Sequence, residues 1–294
     1  MKLCSACGAK FDSPVWRCPL CHKAPECIGG YPALSPEVAA ASDGFTPGYF
    51  AQLATLEGAN FWFRSRNRLI IRAFNRYFQN ARNFFEIGCG TGFVLSGIES
   101  EIPDISLFGS EIQSAGLAYA GRRLKNAELF QMDARRIPFE DEFDVIGAFD
   151  VLEHIKEDEE VLHQIYQAVR PGGGLILTVP QHPFLWSRQD DYACHVRRYS
   201  ARELKNKVKR AGFAMVKMTS FVSLLLPIMT LARVKKRNPA LEYDPLSELK
   251  IDFVLNTLFE KILDIERWMI FSGLSFPAGG SLLVIAHKVS GGIS

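Results

Sequence analysis

Asn83-Phe84-Phe85-Glu86-Ile87-Gly88-Cys89-Gly90-Thr91-Gly92 is the stretch on which the reading of this chain turns. A short apolar strand ends in a carboxylate and enters a turn with glycine at every second position, and Phe93 to Ile98 then begins a helix. Strand, glycine turn and helix together open a nucleotide-binding α/β sheet. The spacing narrows the ligand. A dinucleotide fingerprint requires G-x-G-x-x-G, and Phe93 stands where its last glycine would be. No Gly-Lys-Ser/Thr follows, which excludes a P-loop. Glu86 would repel a pyrophosphate but accept a hydrogen bond from an ammonium group. The turn therefore suits a nucleoside carrying a cationic amino-acid tail.

Outward from this unit, apolar strands recur, each followed by a helical pattern. Ile105 to Ser110 is a second strand ending at Glu111, and an acid about 20 residues past the glycine turn is placed to bind ribose hydroxyls. Glu128 to Met132 leads to Asp133, Phe143 to Phe149 leads to Asp150, and Leu175 to Pro180 follows the turn Arg170-Pro171-Gly172-Gly173-Gly174. Ala214 to Ser220 and Ser281 to Lys288 complete the set. Strands alternating with helices imply a parallel, doubly wound α/β sheet.

Glu86-Ile87-Gly88-Cys89-Gly90-Thr91-Gly92 resembles the first motif of the class I S-adenosylmethionine (SAM) methyltransferases, and the resemblance covers roughly Asn60 to Lys288. It implies a Rossmann-like sheet of seven strands, the last antiparallel, and SAM as cofactor. On this resemblance Glu86, Gly88, Gly90 and Gly92 hold the methionine end, Glu111 the ribose, Ile112 the adenine face, and Asp133 with Ala134 the adenine edge. Phe149 lies where the reactive methyl group points. Arg64 or Arg66, on the helix that covers the pocket in this superfamily, can pair with the methionine carboxylate.

The loop Gln181 to Tyr199 concentrates charged and aromatic groups after a strand end, which suggests a substrate site. Its His195, or His154 after the fourth strand, is the expected base for a hydroxyl acceptor. Trp186, Arg197, Arg198 and Tyr199 are the expected substrate contacts, the arginines gripping an anionic group. The bland reading of the same residues is a loop pinned by its own salt bridges. The expected function is methyl transfer to an O, N or C nucleophile of a small or amphipathic, anionic acceptor. Two other readings stand beside it: an RNA methyltransferase guided by the N-terminal cysteines, and a SAM-binding regulatory protein without transfer activity.

Cys4-x2-Cys7 and Cys18-x2-Cys21 are two knuckles able to close a tetrahedral zinc site. So short a segment cannot bury enough apolar area to fold alone, so the metal would stabilise it. Residues 1–27 thus read as a structural zinc ribbon, with Phe11 and Trp16 as its small core, 28–48 as a linker rich in Pro, Gly, Ala and Ser, and 49–290 as the catalytic domain. About sixty residues separate the last two strands, and 221–279 reads as a helical insertion. Its apolar stretch from Phe221 to Ala232 is followed by Arg233-Val234-Lys235-Lys236-Arg237. Such a segment packs on the sheet or on a second subunit, or lies at a membrane surface over a lipid-like acceptor.

Composition sets the outer bounds. Lys plus Arg number 34 against 32 Asp plus Glu, a net charge of +2, so nucleic acid is not the expected partner. No apolar run reaches the roughly 18 residues that cross a bilayer, and Met1-Lys2-Leu3-Cys4 does not begin a signal segment. A cytoplasmic, reducing setting is the corresponding expectation, with peripheral membrane contact through 221–237 as its variant.

Overall fold

The computed structural model describes residues 1–39, 47–235 and 251–289, with the side chains of 39, 47 and 232–235 left aside. In chain order the strands are β1 (Lys2–Leu3), β2 (Lys10–Phe11), β3 (Glu26–Ile28), β4 (Tyr31–Ala33), β5 (Asn83–Ile87), β6 (Ser106–Glu111), β7 (Ala127–Gln131), β8 (Phe143–Phe149), β9 (Val169–Pro180), β10 (Ala214–Phe221) and β11 (Ser281–His287). The helices are α1 (Pro36–Ala39), α2 (Pro47–Leu56), α3 (Phe61–Tyr77), α4 (Phe93–Glu101), α5 (Ser114–Arg123), α6 (Asp158–Ala168), α7 (Arg188–Tyr192), α8 (Ala201–Arg210), α9 (Leu226–Lys235) and α10 (Phe253–Phe271).

The five strands β5 to β9 pair in parallel, in the order β9-β8-β5-β6-β7. All five residues of β5 are buried, because helices cover both faces of a parallel sheet. One core layer holds Leu69, Ile70, Leu95 and Ile98 under α3 and α4, and the other holds Val161, Leu162, Ile165 and Leu204 under α6 and α8. β11 joins β9 antiparallel, and β10 joins β11 antiparallel. The strand order reverses at β5, between β6 and β8, and the crevice outside the carboxyl ends there is where such sheets bind ligands.

The sheet is larger than the seven strands the sequence suggests. β3 and β4 form a hairpin, and β4 pairs parallel to β7 through Ala33 and Gln131, so among the described residues nine strands share one sheet. Leu34 N–H donates to the Gln131 carbonyl at 2.8 Å, and the Gln131 side chain spans Ser35 N–H and C=O. The stretch read as a linker, 28–48, therefore begins as an edge of the sheet, and a boundary at residue 27 would cut through β3. A parallel β7 edge has unpaired backbone groups, and the hairpin meets them at the carboxyl end of the strand, at Gln131. Residues 40–46 of that reading lie outside the described residues.

The cysteine segment is docked as well. Lys2 bridges to Phe139, and Leu3 N–H donates to the Pro138 carbonyl at 2.8 Å. Phe11 stays within the small cluster of Cys4 and Cys18. Trp16, expected beside it, instead packs edge-on against Phe130 and Phe139 at 5.7 and 5.3 Å and donates to Glu128 at 3.0 Å.

The insertion is helical where described. α10 lies along α3, with Phe259 against Phe61 at 5.4 Å and Glu260 paired with both Arg64 and Arg68. Glu266, fully buried, accepts from the N–H groups of Ser223 and Leu224 at 2.9 Å each and so ties α10 to the start of the insertion. The outer face of α10 leaves Phe253, Val254, Leu258, Ile265 and Trp268 exposed. Among the described residues no helix is long and apolar enough to cross a membrane. The side chains of the basic run Arg233 to Arg237 lie outside the described residues.

Candidate active site

A cavity of about 1030 Å³ opens at the carboxyl ends of β5, β6 and β8. Its floor is the glycine turn. Gly88, Gly90 and Gly92 have φ of +68°, +52° and +75°, the left-handed region that glycine enters without a Cβ penalty. A Cβ on Gly88 would lie 2.5 Å from Val151, whereas one on Gly90 would meet nothing within 4 Å. Gly88 is thus needed for packing, and Gly90 leaves open space above the backbone.

Three acids expected from the sequence line this one cavity: Glu86, Glu111 and Asp133. Glu86 is buried and its Oε2 has no hydrogen-bond partner; burial pushes its carboxyl well above the usual range, against the pull of Arg66. Glu111 accepts from Gly90 N–H and from Gln113 N–H, both at 3.1 Å. Burial pushes Glu111 up, and those backbone donors oppose it. Asp133 accepts from Arg135 N–H at 2.9 Å and is paired with the Arg135 guanidinium. Ile112, Ala134 and Phe149 also line the cavity.

Arg64 does not line it. Arg64 binds Glu260 and donates to the Ala59 carbonyl at 2.8 Å, while Arg66, two residues on, faces the cavity and pairs with Asp150. At 100° per residue, two positions on a helix point some 200° apart, so one face of α3 serves α10 and the other the site. Asn60 caps α3 by accepting from Trp62 N–H at 2.9 Å, which sets that rotation.

The loop after β9 divides in the same way. Asp190 is fully buried and is its hub: it accepts from Ser187 N–H at 2.8 Å, from His195 Nδ1 at 2.9 Å and from both arms of Arg198 at 2.7 and 3.0 Å. Burial pushes Asp190 up, but His195 and Arg198 outweigh it and hold it below the usual carboxylate range. Arg197 pairs with Asp158, and Tyr199, fully buried, donates to Asp158 at 2.6 Å. Trp186 donates to Asp191 at 2.8 Å. Trp186, Arg197 and Tyr199 do not line the cavity, and Arg197 and Arg198 are paired with the buried carboxylates of Asp158 and Asp190. His195 and Arg198 do line it.

Three further residues shape the site: Glu153 and His154, in the segment after β8 from which His154 was expected, and Glu57, which the sequence did not single out. Glu153, in the 3-10 turn Leu152–His154, is fully buried, and burial pushes its carboxyl up to about 8. His154 is pushed down to about 3 by burial and by His195, whose ring centroid lies 4.7 Å away. Glu57 accepts from Thr91 Oγ1 at 2.6 Å and from Arg123 at 2.9 Å, bracing the glycine turn from a segment with no motif of its own. Asp150, Cys194 and Val222, all on the cavity wall, hold positive φ of 58°, 56° and 61°. Non-glycine residues in that region mark local strain of the kind concentrated at functional sites.

Residues 62–218, more than half of the chain, match the family model described as a methyltransferase domain. The chain belongs to this methyltransferase-domain family. It is 26% identical over 159 residues to a protein of Mycolicibacterium smegmatis named a "probable S-adenosylmethionine-dependent methyltransferase", covering 52% of this chain and 60% of that one. It is 28% identical over 167 residues to the O-methyltransferase cnsE of Penicillium expansum, covering 52% and 59%. The chain thus spans about three fifths of the length of these relatives. Among solved structures it is similar to phosphoethanolamine N-methyltransferase 2 of Haemonchus contortus in complex with S-adenosyl-L-methionine, with a TM-score of 0.55, 18% identity and coverage of 83% of this chain and 57% of that one. That likeness shows the shared Rossmann-like fold.

Proposed function

We propose that this protein is a SAM-dependent methyltransferase whose acceptor is a small or amphipathic molecule, held between the carboxyl edge of the sheet and the helical insertion. The observation that carries the reading is the convergence of Glu86, Glu111 and Asp133, from three successive strand ends, on one cavity over an open glycine turn. Each acid fits a different part of SAM. Glu86 offers its unpartnered oxygen to the ammonium group. Glu111, oriented by two backbone donors, offers its remaining lone pairs to the ribose hydroxyls. Asp133 takes the adenine edge, with Ile112 and Ala134 against the ring. Arg66, whose Nε has no partner, is the cavity-facing arginine for the methionine carboxylate.

SAM, when bound, supplies an electrophilic methyl group on a sulfonium sulfur. The chain's own part is to align the acceptor with it and exclude water, and positioning of this kind is worth several kcal/mol, roughly 7–11 in well-oriented systems. Beyond Phe149 the wall is made by Val222, Leu225, Ile228, Met229 and Phe259, which supports an acceptor with an apolar part. His195 donates from Nδ1 to Asp190, so its Nε2 carries the lone pair and takes the proton of a hydroxyl acceptor. His154 stands beside it.

Cys4, Cys7, Cys18 and Cys21 hold a structural Zn2+ in this reading. Their sulfur atoms lie within 4.8 Å of one another, with Cys4 and Cys21 at 3.6 Å and Cys7 and Cys18 at 3.7 Å. Four thiolates leave no open position for catalysis. The docked Trp16 supports a bracing role for this segment over the guiding of RNA.

Calorimetry with SAM and its demethylated product on the full, zinc-loaded chain is the direct test, followed by a metabolite screen with labelled SAM. Binding of both with methyl transfer to a small molecule is the expected result; no heat from either ends the proposal.

A further inference from the structure

The insertion presents an apolar surface to solvent. Val254, Leu258, Lys261, Ile265 and Trp268 recur on α10 at alternating steps of four and three, which sets them on one side of the helix over about 21 Å. Trp268 is 70% exposed, Leu258 and Ile265 more than half, and Phe253 at the start of the helix 83%. The run into α9 is tied to α10 by Leu224 N–H and Glu266, and Leu224, Ile228 and Leu231 there are exposed as well. Scattered surface hydrophobics need no explanation, but a row of large ones marks a surface that something covers.

Charge around this face is one-sided. α3, alongside α10, carries five arginines and no acid, and its Arg72 and Arg76 are exposed. The Arg72 guanidinium lies 6.0 Å from the ring centroid of Phe271, so the arginine row flanks α10. The acids of α10 are already engaged. Glu260 pairs with Arg64 and Arg68, Asp264 with Arg68, and Glu266 with backbone N–H groups. The sequence of α9 ends in Arg233 and Lys235 and holds no acid.

We propose that this face docks on the surface of an anionic lipid bilayer. An apolar side flanked by cations is the composition of a helix that lies in the plane of such a surface. Tryptophan suits the depth at which acyl chains meet headgroups. α10 would lie along the bilayer: five charged residues fall between Glu260 and Arg267, and no described helix is long and apolar enough to cross. A second copy of this chain is a poorer occupant, since a two-fold contact would bring the cationic rows of both copies together. Ile228 is half exposed and also lines the cavity, as do Ile251 and Phe259, so apolar surface runs from this face into the acceptor half. An amphipathic acceptor can thus pass from bilayer to cavity without crossing water. That consequence rests on the methyl-transfer reading; the docking does not.

The experiment is flotation of the full, zinc-loaded chain with vesicles of phosphatidylcholine alone and of phosphatidylcholine and phosphatidylglycerol in equal parts, read in parallel by tryptophan emission. Binding to the anionic vesicles is expected to be about tenfold or more tighter than to the neutral ones and to weaken as salt rises. Emission should shift to the blue on binding, and Trp268→Phe should lose most of that shift. Leu258→Glu combined with Trp268→Glu should weaken binding about tenfold or more, and Arg72→Gln and Arg76→Gln about fivefold each. Far-ultraviolet circular dichroism reports folding. SAM calorimetry on the same variants should be unchanged, so a failure of docking and a failure of the cofactor reading are seen separately. No flotation with the anionic vesicles overturns the proposal, as does equal binding by the wild type and the folded double variant. A concentration-dependent dimer in sedimentation that the double variant breaks, with no vesicle binding, assigns the face to a second copy and overturns it too.

Discussion

The N–H of Gly90 donates to Glu111 Oε2 at 3.1 Å, tying the turn after β5 to the last residue of β6. One bond thus fixes the carboxylate of the second strand relative to the loop of the first. Gln113 N–H holds the other oxygen, so Glu111 has a single orientation before any ligand arrives.

From this geometry the acids are expected to act on different parts of the cofactor. Glu111→Gln should weaken SAM about tenfold or more, since a charged hydrogen bond is worth roughly 1.5–3 kcal/mol. It should weaken methylthioadenosine, which lacks the amino-acid tail, by a similar factor. Glu86→Gln should weaken SAM and leave methylthioadenosine nearly unchanged. Calorimetry with both ligands checks this; equal losses of both in Glu86→Gln would contradict the assignment.

Gly88→Ala meets two obstacles at once. The backbone is in the left-handed region and the new Cβ would lie 2.5 Å from Val151. The expected cost is about 2 kcal/mol or more, seen as a fall of several degrees in Tm. Gly90→Ala meets no protein atom, so its loss should appear chiefly in SAM affinity. Thermal unfolding of the two variants, with and without SAM, separates the effects.

Metal removal should reach beyond the first 27 residues. The cysteine segment is joined to the sheet through Trp16 and the β3–β4 hairpin on β7, the strand that leads to Asp133. Release of zinc by a chelator with a thiol-reactive probe is expected to lower the Tm of the whole chain and to weaken SAM. Trp16→Ala should keep its zinc, counted by elemental analysis, and lose part of the same stability. An unchanged Tm in the metal-free chain would show the segment to be independent.

Asp158 predicts a pH dependence of stability. Burial pushes its carboxyl up, but hydrogen bonds from Lys207, Tyr199 and Arg197 outweigh burial and hold it below the usual range. A folded pKa below the unfolded value of about 3.9 contributes stability that is fully present above that value and is lost as pH falls through the folded pKa. Asp158→Asn should therefore lower the Tm at pH 7, and its difference from the wild type should shrink below about pH 4. Tm measured across that range tests the sign; a gap that widened toward acid would refute it.

Much of this was legible along the chain because it is local. The strand, glycine turn and helix from Asn83 to Ile98 read directly, since φ preference and apolar runs act between neighbours. Glu86, Glu111 and Asp133 could be placed together because each stands at or within two residues of a strand end, and parallel strands bring those ends to one edge. The choice between Arg64 and Arg66 was not, because it depends on which face of α3 meets Glu260, 196 residues further on. The partners within the loop after β9 were hidden for a related reason: that Arg197 and Tyr199 meet Asp158, some forty residues earlier, and that Arg198 meets Asp190 depends on how the loop folds back. The β3–β4 hairpin was hidden because its composition is that of a connecting segment and its partner, β7, lies nearly a hundred residues away.

The order of residues by itself determined the sheet class, the cofactor edge and the cysteine quartet, since each follows from spacing within a few turns of chain. Tertiary structure alone decided which charges were spent internally, that the N-terminal segment extends the sheet, and that Glu153 stands buried and unpaired between two histidines. Those outcomes depend on desolvation and on partners distant in sequence, and neither is written in any local stretch.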